Sequence, residues 1–432
     1  MPVSQRVLAY ALCFSIALAC AAQGWCDEQQ PQQDRARLPD VALLPPELVN
    51  PIDGQHVKPA RGSQGVPGIA CAPGGRLWAT WYASRSQRGV ESPGSYCVLA
   101  TSGDDGRTWA ETLLIMPRPL VRTYDPCLWV DPQNRLWFFW NQSAGMQDGR
   151  MGVWAIVTNE PDAAGPRWSK PRRIANGVML NKPTVLKNGN WLLPVGLWPD
   201  NDNVPNVNFK PQDLGPYTNE MLIHDLGAER ASNVYRSTDQ GKTFSLLGQA
   251  RVPGTRVDEH MLIERRDVSL WMLLRNVRGI AQSTSHDGGR TWSEGSLYLE
   301  GRTHANKRFF IRRLQSGALL MVRHNAADGA RSHLTAFISD DDGQSWQGGL
   351  LLDERECSYP DGVQAADGRI YIIYDQQRYT LNRAGHRGSG SVVMAVFREE
   401  DARAGRRVSD AVRLRSTISQ LQTVDPPSDA SP

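Results

Sequence analysis

A short apolar strand behind a polar turn recurs six times in this chain, and no other feature limits the possible folds as much. The copies are Gly75–Trp81 (GRLWATW), Asn134–Trp140 (NRLWFFW), Gly189–Val195 (GNWLLPV), Val268–Arg275 (VSLWMLLR), Gly317–Arg323 (GALLMVR) and Gly368–Tyr374 (GRIYIIY). They begin 49 to 79 residues apart and are rich in aromatic and β-branched residues, the chemistry of strands. A second motif, S-x-D-x-G-x-[T/S]-[W/F], occurs at Ser102–Trp109, Ser237–Phe244, Ser285–Trp292 and Ser339–Trp346. A fifth site, 158–168, keeps only Trp168. Six repeats of this length, each worth about four strands, predict an all-β, six-bladed β-propeller. A helical solenoid is disfavoured, because no 3.6-residue periodicity is sustained.

The order along the chain fits one large unit with short extensions. Residues 1–22 read as a signal peptide: Arg6, an apolar run from Val7 to Ala22, and small residues at its end. The run is short for a membrane span, and no other stretch approaches one, so no stable membrane insertion is expected after cleavage. The protein is expected to be secreted or periplasmic, and monomeric. Residues 23–40 form a polar lead-in, 41–422 the propeller, and 423–432 a disordered tail. Blade one runs from about Val66 to Leu114, and the later blades end near Ile174, Gln249, Leu299, Leu352 and Phe397. The apolar piece Val41–Val49 is a candidate outer strand for blade six. Gly196–Ala231, rich in Asn, Asp and Pro, is an insertion placed either to shape a binding site or merely to run through solvent.

Net charge is +3 with both signs interspersed, which argues against nucleic acid as a partner. Five cysteines follow the leader (Cys26, Cys71, Cys97, Cys127 and Cys357), enough for at most two bridges. There is no CxxC or Cys/His spacing for a structural metal, and neither a metal nor a cofactor is expected. Most of the tryptophans stand at repeating positions, where blade packing explains them.

Superposing the repeats gives a functional argument. Counting back from each turn, and taking the third repeat as shorter, the innermost strands open on Val66, Asp125, Lys182, Glu259, Arg308 and Tyr359. In a propeller these positions form one ring around the central channel. Buried charge without a partner is costly, so a purely structural ring would be small or apolar. Asp, Lys, Glu, Arg and Tyr there mark a polar-ligand site, with a self-satisfied ion network as the bland alternative. The S-x-D-x-G turns read the other way: Ser and Asp bond the turn's own backbone and Gly permits the bend, so Asp104, Asp239, Asp287 and Asp341 are structural. His260, next to Glu259, should face away from the channel into the core. His333, two residues past Arg331, should share its face.

Four such turns on a six-fold strand repeat resemble the sialidase (neuraminidase) superfamily over roughly Val66 to Phe397. The resemblance implies a retaining glycosidase whose tyrosine nucleophile is activated by a glutamate. Three arginines clamp the substrate carboxylate, and an aspartate on a first-blade loop is the acid/base. On this pattern Tyr359 is the nucleophile and Glu259 its partner, while Arg275 and Arg331 are the second and third arginines. A phenol of pKa about 10 needs such a neighbouring base. Guanidinium groups bind carboxylate in bidentate fashion.

Two positions depart from the pattern. Val66 stands where the first arginine belongs, with Arg61, Lys182 or Arg308 as possible substitutes, and Glu91 stands in place of the acid aspartate. Asp125 is an alternative acid. The expected substrate is therefore a glycan ending in sialic acid or another acidic sugar. Two other readings stay open: a glycan-binding propeller without catalysis, and a polysaccharide lyase on uronate glycans with Tyr359 as base.

Overall fold

The computed structural model describes residues 41–52, 54–86, 90–144, 150–197, 229–255, 259–300, 307–377 and 390–421. A short outer strand, β1 (Glu47–Val49), comes first. Blade one is β2 (Ser63–Cys71), β3 (Leu77–Ser84), β4 (Tyr96–Ser102) and β5 (Ala110–Met116). Blade two is β6 (Val121–Val130), β7 (Leu136–Ala144), β8 (Gly152–Thr158) and β9 (Arg172–Asn176). Blade three is β10 (Thr184–Val185), β11 (Trp191–Gly196), β12 (Ser232–Ser237) and β13 (Ser245–Ala250). Blade four is β14 (Met261–Glu264), β15 (Leu270–Asn276), β16 (Gly279–Ser285) and β17 (Ser296–Glu300). Blade five is β18 (Phe310–Arg313), β19 (Leu319–His324), β20 (Leu334–Ser339) and β21 (Gln347–Asp353). Blade six is β22 (Cys357–Gln364), β23 (Ile370–Gln376), β24 (Ser391–Phe397) and, after the helix α1 (Glu399–Ala404), β25 (Arg413–Ser419). Each blade is an antiparallel meander with its first strand innermost.

The core explains why the second strand of each repeat is apolar on both faces. It is divided into layers, one between each pair of neighbouring blades. On β7, Leu136, Phe138 and Trp140 pack toward blade one, while Trp137 and Phe139 pack toward blade three. A strand buried on both faces cannot show simple polar/apolar alternation. The S-x-D-x-G turns strengthen these layers. In each one the Asp Oδ1 accepts the Ser hydroxyl and the backbone N–H four residues after the Asp, as in Ser102 Oγ to Asp104 Oδ1 (2.7 Å) and Thr108 N to Asp104 Oδ1 (2.9 Å). The other three repeat these bonds. The glycine of the turn lies against the preceding blade. A Cβ on Gly241 would meet Trp137 of blade two as well as Trp191, and one on Gly343 would meet Trp271 of blade four. The structural reading of these four aspartates agrees with this geometry.

Two expectations are corrected. Val41–Val49 does not close blade six: β1 pairs with β5 as a fifth strand of blade one (Leu48 opposite Ile115). Blade six has its own outer strand, since α1 turns the chain back to lay β25 against β24. Ring closure instead uses polar bonds from β2 to blade six, including Val66 N–H to Asp375 Oδ2 (2.8 Å) and Ile69 N–H to Asp361 Oδ2 (2.9 Å). The four described cysteines, Cys71, Cys97, Cys127 and Cys357, are free thiols. The leader, the lead-in, the tail and nearly all of the 196–231 insertion lie outside the described residues.

Candidate functional site

Three of the ring residues followed by proline share an unusual backbone. Val66, Asp125 and Tyr359 have φ of 53°, 44° and 53°, and the ladder slips at each of them. Non-glycine residues avoid the left-handed region, and a β-branched valine avoids it most. The bulge bends the inner strand and re-aims the ring side chain, a device that clusters at functional sites. That three repeats keep it at one position means that Val66, Asp125 and Tyr359 are structurally equivalent, as the superposed repeats predict.

Tyr359 is nearly buried, and its hydroxyl donates to Glu259 Oε1 at 2.9 Å. Arg275 Nη1 donates to the same oxygen at 2.9 Å. The sixteen-residue spacing of Glu259 and Arg275 has a simple cause. Met261 pairs with Leu273 in the β14–β15 ladder, and that register carried two residues outward sets Glu259 opposite Arg275. Glu259 Oε2 is buried without a hydrogen-bond partner, which leaves the carboxylate capacity for a proton. Burial works against the Arg275 charge, but Glu259 and the Tyr359 hydroxyl outweigh it and raise its pKa above the ordinary value.

Arg331 approaches from blade five. Its carbonyl accepts the Cys357 N–H (2.8 Å), which fixes it beside the strand carrying Tyr359, and its guanidinium lies 5.9 Å from the centre of the Tyr359 ring. Arg308 lies 5.8 Å from the same ring. Its guanidinium is already engaged, however, with the Pro360 carbonyl, the Asn181 Oδ1 (2.6 Å) and the Leu180 carbonyl (3.3 Å). Arg308 thus ties the Tyr359 bulge to blade three, and only its charge faces the site.

Lys182 is displaced from its expected place. The turn hydrogen bonds Leu186 N–H to Asn190 O and Gly189 N–H to Leu186 O match Arg265 N–H to Ser269 O and Val268 N–H to Arg265 O. Blade three is therefore not shortened between ring and turn, and its ring position is Leu180. Lys182 lies two residues deeper, level with Asp361, and the two form a buried ion pair. Arg61, the other possible substitute for the first arginine, is buried in a bidentate pair with Glu111 (2.7 and 2.6 Å).

Glu91 is partly exposed and makes no hydrogen bond or ion pair among the described residues. Its loop is docked on the start of β6 by Gly94 N–H to Val121 O (3.2 Å) and Thr123 N–H to Ser95 O (2.8 Å). That places it near the end of β6 that carries Asp125. His260 is fully buried, its Nε2 2.8 Å from the Asn233 carbonyl, in keeping with a core role. His333 is exposed, with Nδ1 bonded to the Ser332 hydroxyl at 3.0 Å.

Two residues of the site were not singled out from sequence. Lys307 precedes Arg308; burial, with the positive charges of Arg331 and Arg275, pulls its ammonium below the ordinary value. His324, at the end of β19, donates from Nε2 to the Cys357 carbonyl (2.8 Å), and burial above all holds its pKa down to about 4. The local balance is Arg275, Arg331, Arg308 and Lys307 against Glu259 and Asp125, a field that favours an anionic ligand. Among the described residues no group of three His, Cys, Asp or Glu is placed to hold a metal ion.

A family model described as a BNR repeat-like domain matches residues 111–372. The chain belongs to this family. A sialidase from Micromonospora viridifaciens is 24% identical over 336 residues, which cover 72% of this chain and 49% of that protein. The chain thus spans about half the length of this curated relative. Solved structures with the same fold include a leech intramolecular trans-sialidase (TM-score 0.59, 13% identity, 83% of this chain and 71% of that one). The intramolecular trans-sialidase of Ruminococcus gnavus gives a TM-score of 0.57 at 13% identity, over 82% of this chain and 98% of that one. A Trypanosoma rangeli sialidase gives 0.53 at 18%, over 72% and 52%. This BNR propeller shares their architecture, and its own side chains must carry any argument about chemistry.

Proposed function

We propose that this BNR propeller is an exported retaining glycosidase that removes a terminal sialic acid or another acidic sugar from glycans. The observation that carries the reading is the Tyr359–Glu259–Arg275 chain of contacts at one mouth of the channel. Glu259 takes the phenolic proton as Tyr359 Oη attacks the anomeric carbon, and Arg275 holds the carboxylate in place. The bond to the aglycone breaks as Glu91 protonates the departing oxygen. Water, deprotonated by Glu91, then releases the sugar from Tyr359 Oη and the proton returns to the phenolate. A neutral nucleophile suits an anionic sugar, which would repel a carboxylate; sialidases are the tyrosine exception among glycosidases. Arg331 and Arg275 bind the sugar carboxylate, with Lys307 adding the positive charge that Val66 does not supply.

Release of a fluorophore from aryl sialosides, aryl uronides and neutral aryl glycosides tests the reading, with wild type and Tyr359→Phe side by side. Turnover of an acidic glycoside that disappears in the variant is expected. Turnover of neutral glycosides alone would refute the acidic-sugar specificity. An unsaturated, ultraviolet-absorbing product from a uronate glycan would mean a lyase. Glycan binding without turnover of any substrate would leave a binding propeller.

A further inference from the structure

The channel has a second mouth, and it holds a cavity of about 370 Å³. The inner strands run in one sense, with Tyr359 near the start of β22 and Gln364 at its end. At about 3.3 Å per residue, the five steps between them span about 16 Å. Residues from the ends of the inner strands line the cavity, among them Trp129, Arg312, Val363 and Gln364, with Lys182 and Phe310 deeper in. It is separate from the Tyr359 site, whose residues stand at the opposite ends of the same strands.

The charges of this cavity are not balanced. Lys182 is paired with Asp361, and Arg313 with Asp342 at 2.8 Å. Arg312 makes one hydrogen bond, from Nη1 to the Pro183 carbonyl (2.9 Å), and has no carboxylate partner among the described residues. Burial pulls the Arg312 pKa down, and Asp361 offsets part of the shift. A guanidinium has five donors, and among the described residues only the bond to the Pro183 carbonyl uses one on Arg312, which leaves the others to face the cavity. A surplus cation at one wall and Trp129, Phe310 and Val363 on the others define the occupant by its chemistry.

We infer that this cavity is a binding site for a small monocarboxylate with a ring-sized apolar body, its carboxylate on Arg312 and its body against Trp129, Phe310 and Val363. One negative charge is the right complement, because the other cations are already neutralised. Bidentate Arg–carboxylate pairing supplies the anchor. The apolar walls reject a heavily hydrated anion such as sulfate.

The test uses para-fluorobenzoate on the full protein, followed by fluorine NMR. Wild type should bind it at least tenfold more tightly than the neutral, isosteric para-fluorobenzamide. Arg312→Gln should lose at least tenfold in affinity for the acid while binding the amide as wild type does. Equal affinity for acid and amide would overturn the inference, as would unchanged binding in Arg312→Gln. A soak with para-iodobenzoate needs no variant: anomalous scattering should place iodine between Arg312 and Trp129. Iodine found only beside Tyr359, or nowhere, would overturn it equally.

Discussion

The Tyr359 hydroxyl lies 2.9 Å from Glu259 Oε1, and Arg275 Nη1 lies 2.9 Å from that same oxygen. One carboxylate oxygen therefore connects a phenol from blade six to a guanidinium on blade four. The arrangement does two separable things: it positions a base for Tyr359, and it neutralises a nearly inaccessible carboxylate.

The base can be removed without removing the contact. Glu259→Gln keeps an oxygen to accept the Tyr359 hydroxyl but cannot take its proton. General-base catalysis is worth roughly 10²–10⁴-fold, so kcat on an acidic aryl glycoside should fall by that factor. KM should barely change, because the carboxylate clamp is intact. Steady-state kinetics on the folded variant checks this; a kcat within threefold of wild type, on the order of RT, would show that Glu259 is not the base.

Neutralisation is measured by stability. The side chain of Glu259 is 2% exposed and that of Arg275 17%. Breaking one side of such a buried pair costs about 3–5 kcal/mol, because the remaining charge has no compensation. Arg275→Gln should therefore lower the denaturation midpoint sharply. The double variant Arg275→Gln/Glu259→Gln should recover much of the loss, since it leaves no charge behind. If the two losses simply add in urea titrations, the pair is not coupled.

Glu91 and Asp125 compete for the role of acid/base, and their loop and strand are joined by the Ser95–Thr123 bond. Glu91→Gln should slow substrates with poor leaving groups by about 10²-fold or more and spare aryl glycosides, whose phenols need little protonation. Asp125→Asn should leave that ratio near wild type. The reverse pattern in a leaving-group series would move the role to Asp125.

The fold was legible because a propeller repeats its errors and its signals six times. Strand-two runs and S-x-D-x-G turns gave the blades, and antiparallel register explains why Glu259 and Arg275 sit sixteen residues apart. Lys182 was misplaced because no turn motif marks the start of blade three, whose register only the Leu186–Gly189 turn reveals. The closing strand was misassigned because sequence holds no sign that α1 reverses the chain to deliver β25. Lys307 and His324 were invisible for another reason. Their importance comes from charges distant in sequence, Arg331 from a later loop of the same blade and Arg275 from blade four, and such proximity leaves no local pattern.

His324 predicts how stability responds to acid. Its folded pKa is about 4, held down chiefly by burial and also by Arg331, Lys307 and Arg275, while the bond to the Cys357 carbonyl opposes the shift. The unfolded value is about 6.5. Between these values the unfolded chain binds more protons, so stability is complete above pH about 6.5 and is lost as pH falls toward 4. The loss from this group is about 3 kcal/mol, taking 1.36 kcal/mol per unit. His324→Gln should flatten that part of the profile in urea titrations from pH 7 to 4; an unchanged slope would assign the acid sensitivity elsewhere.

The turns that join the blades give a prediction independent of catalysis. Gly241 has φ of 82°, and a Cβ there would stand 2.5 Å from the Trp191 ring and 2.8 Å from that of Trp137. Gly241→Ala thus combines a disfavoured backbone with overpacking against two fully buried rings, together about 2–4 kcal/mol. Gly189 has a similar φ, 84°, but open space around its Cβ, so Gly189→Ala should cost only the backbone part, about 1 kcal/mol. Thermal melts of the two variants separate strain from packing. A larger loss for Gly241→Ala would mean that the S-x-D-x-G turn works as a staple between blades two and three; equal losses would reduce it to a tight bend.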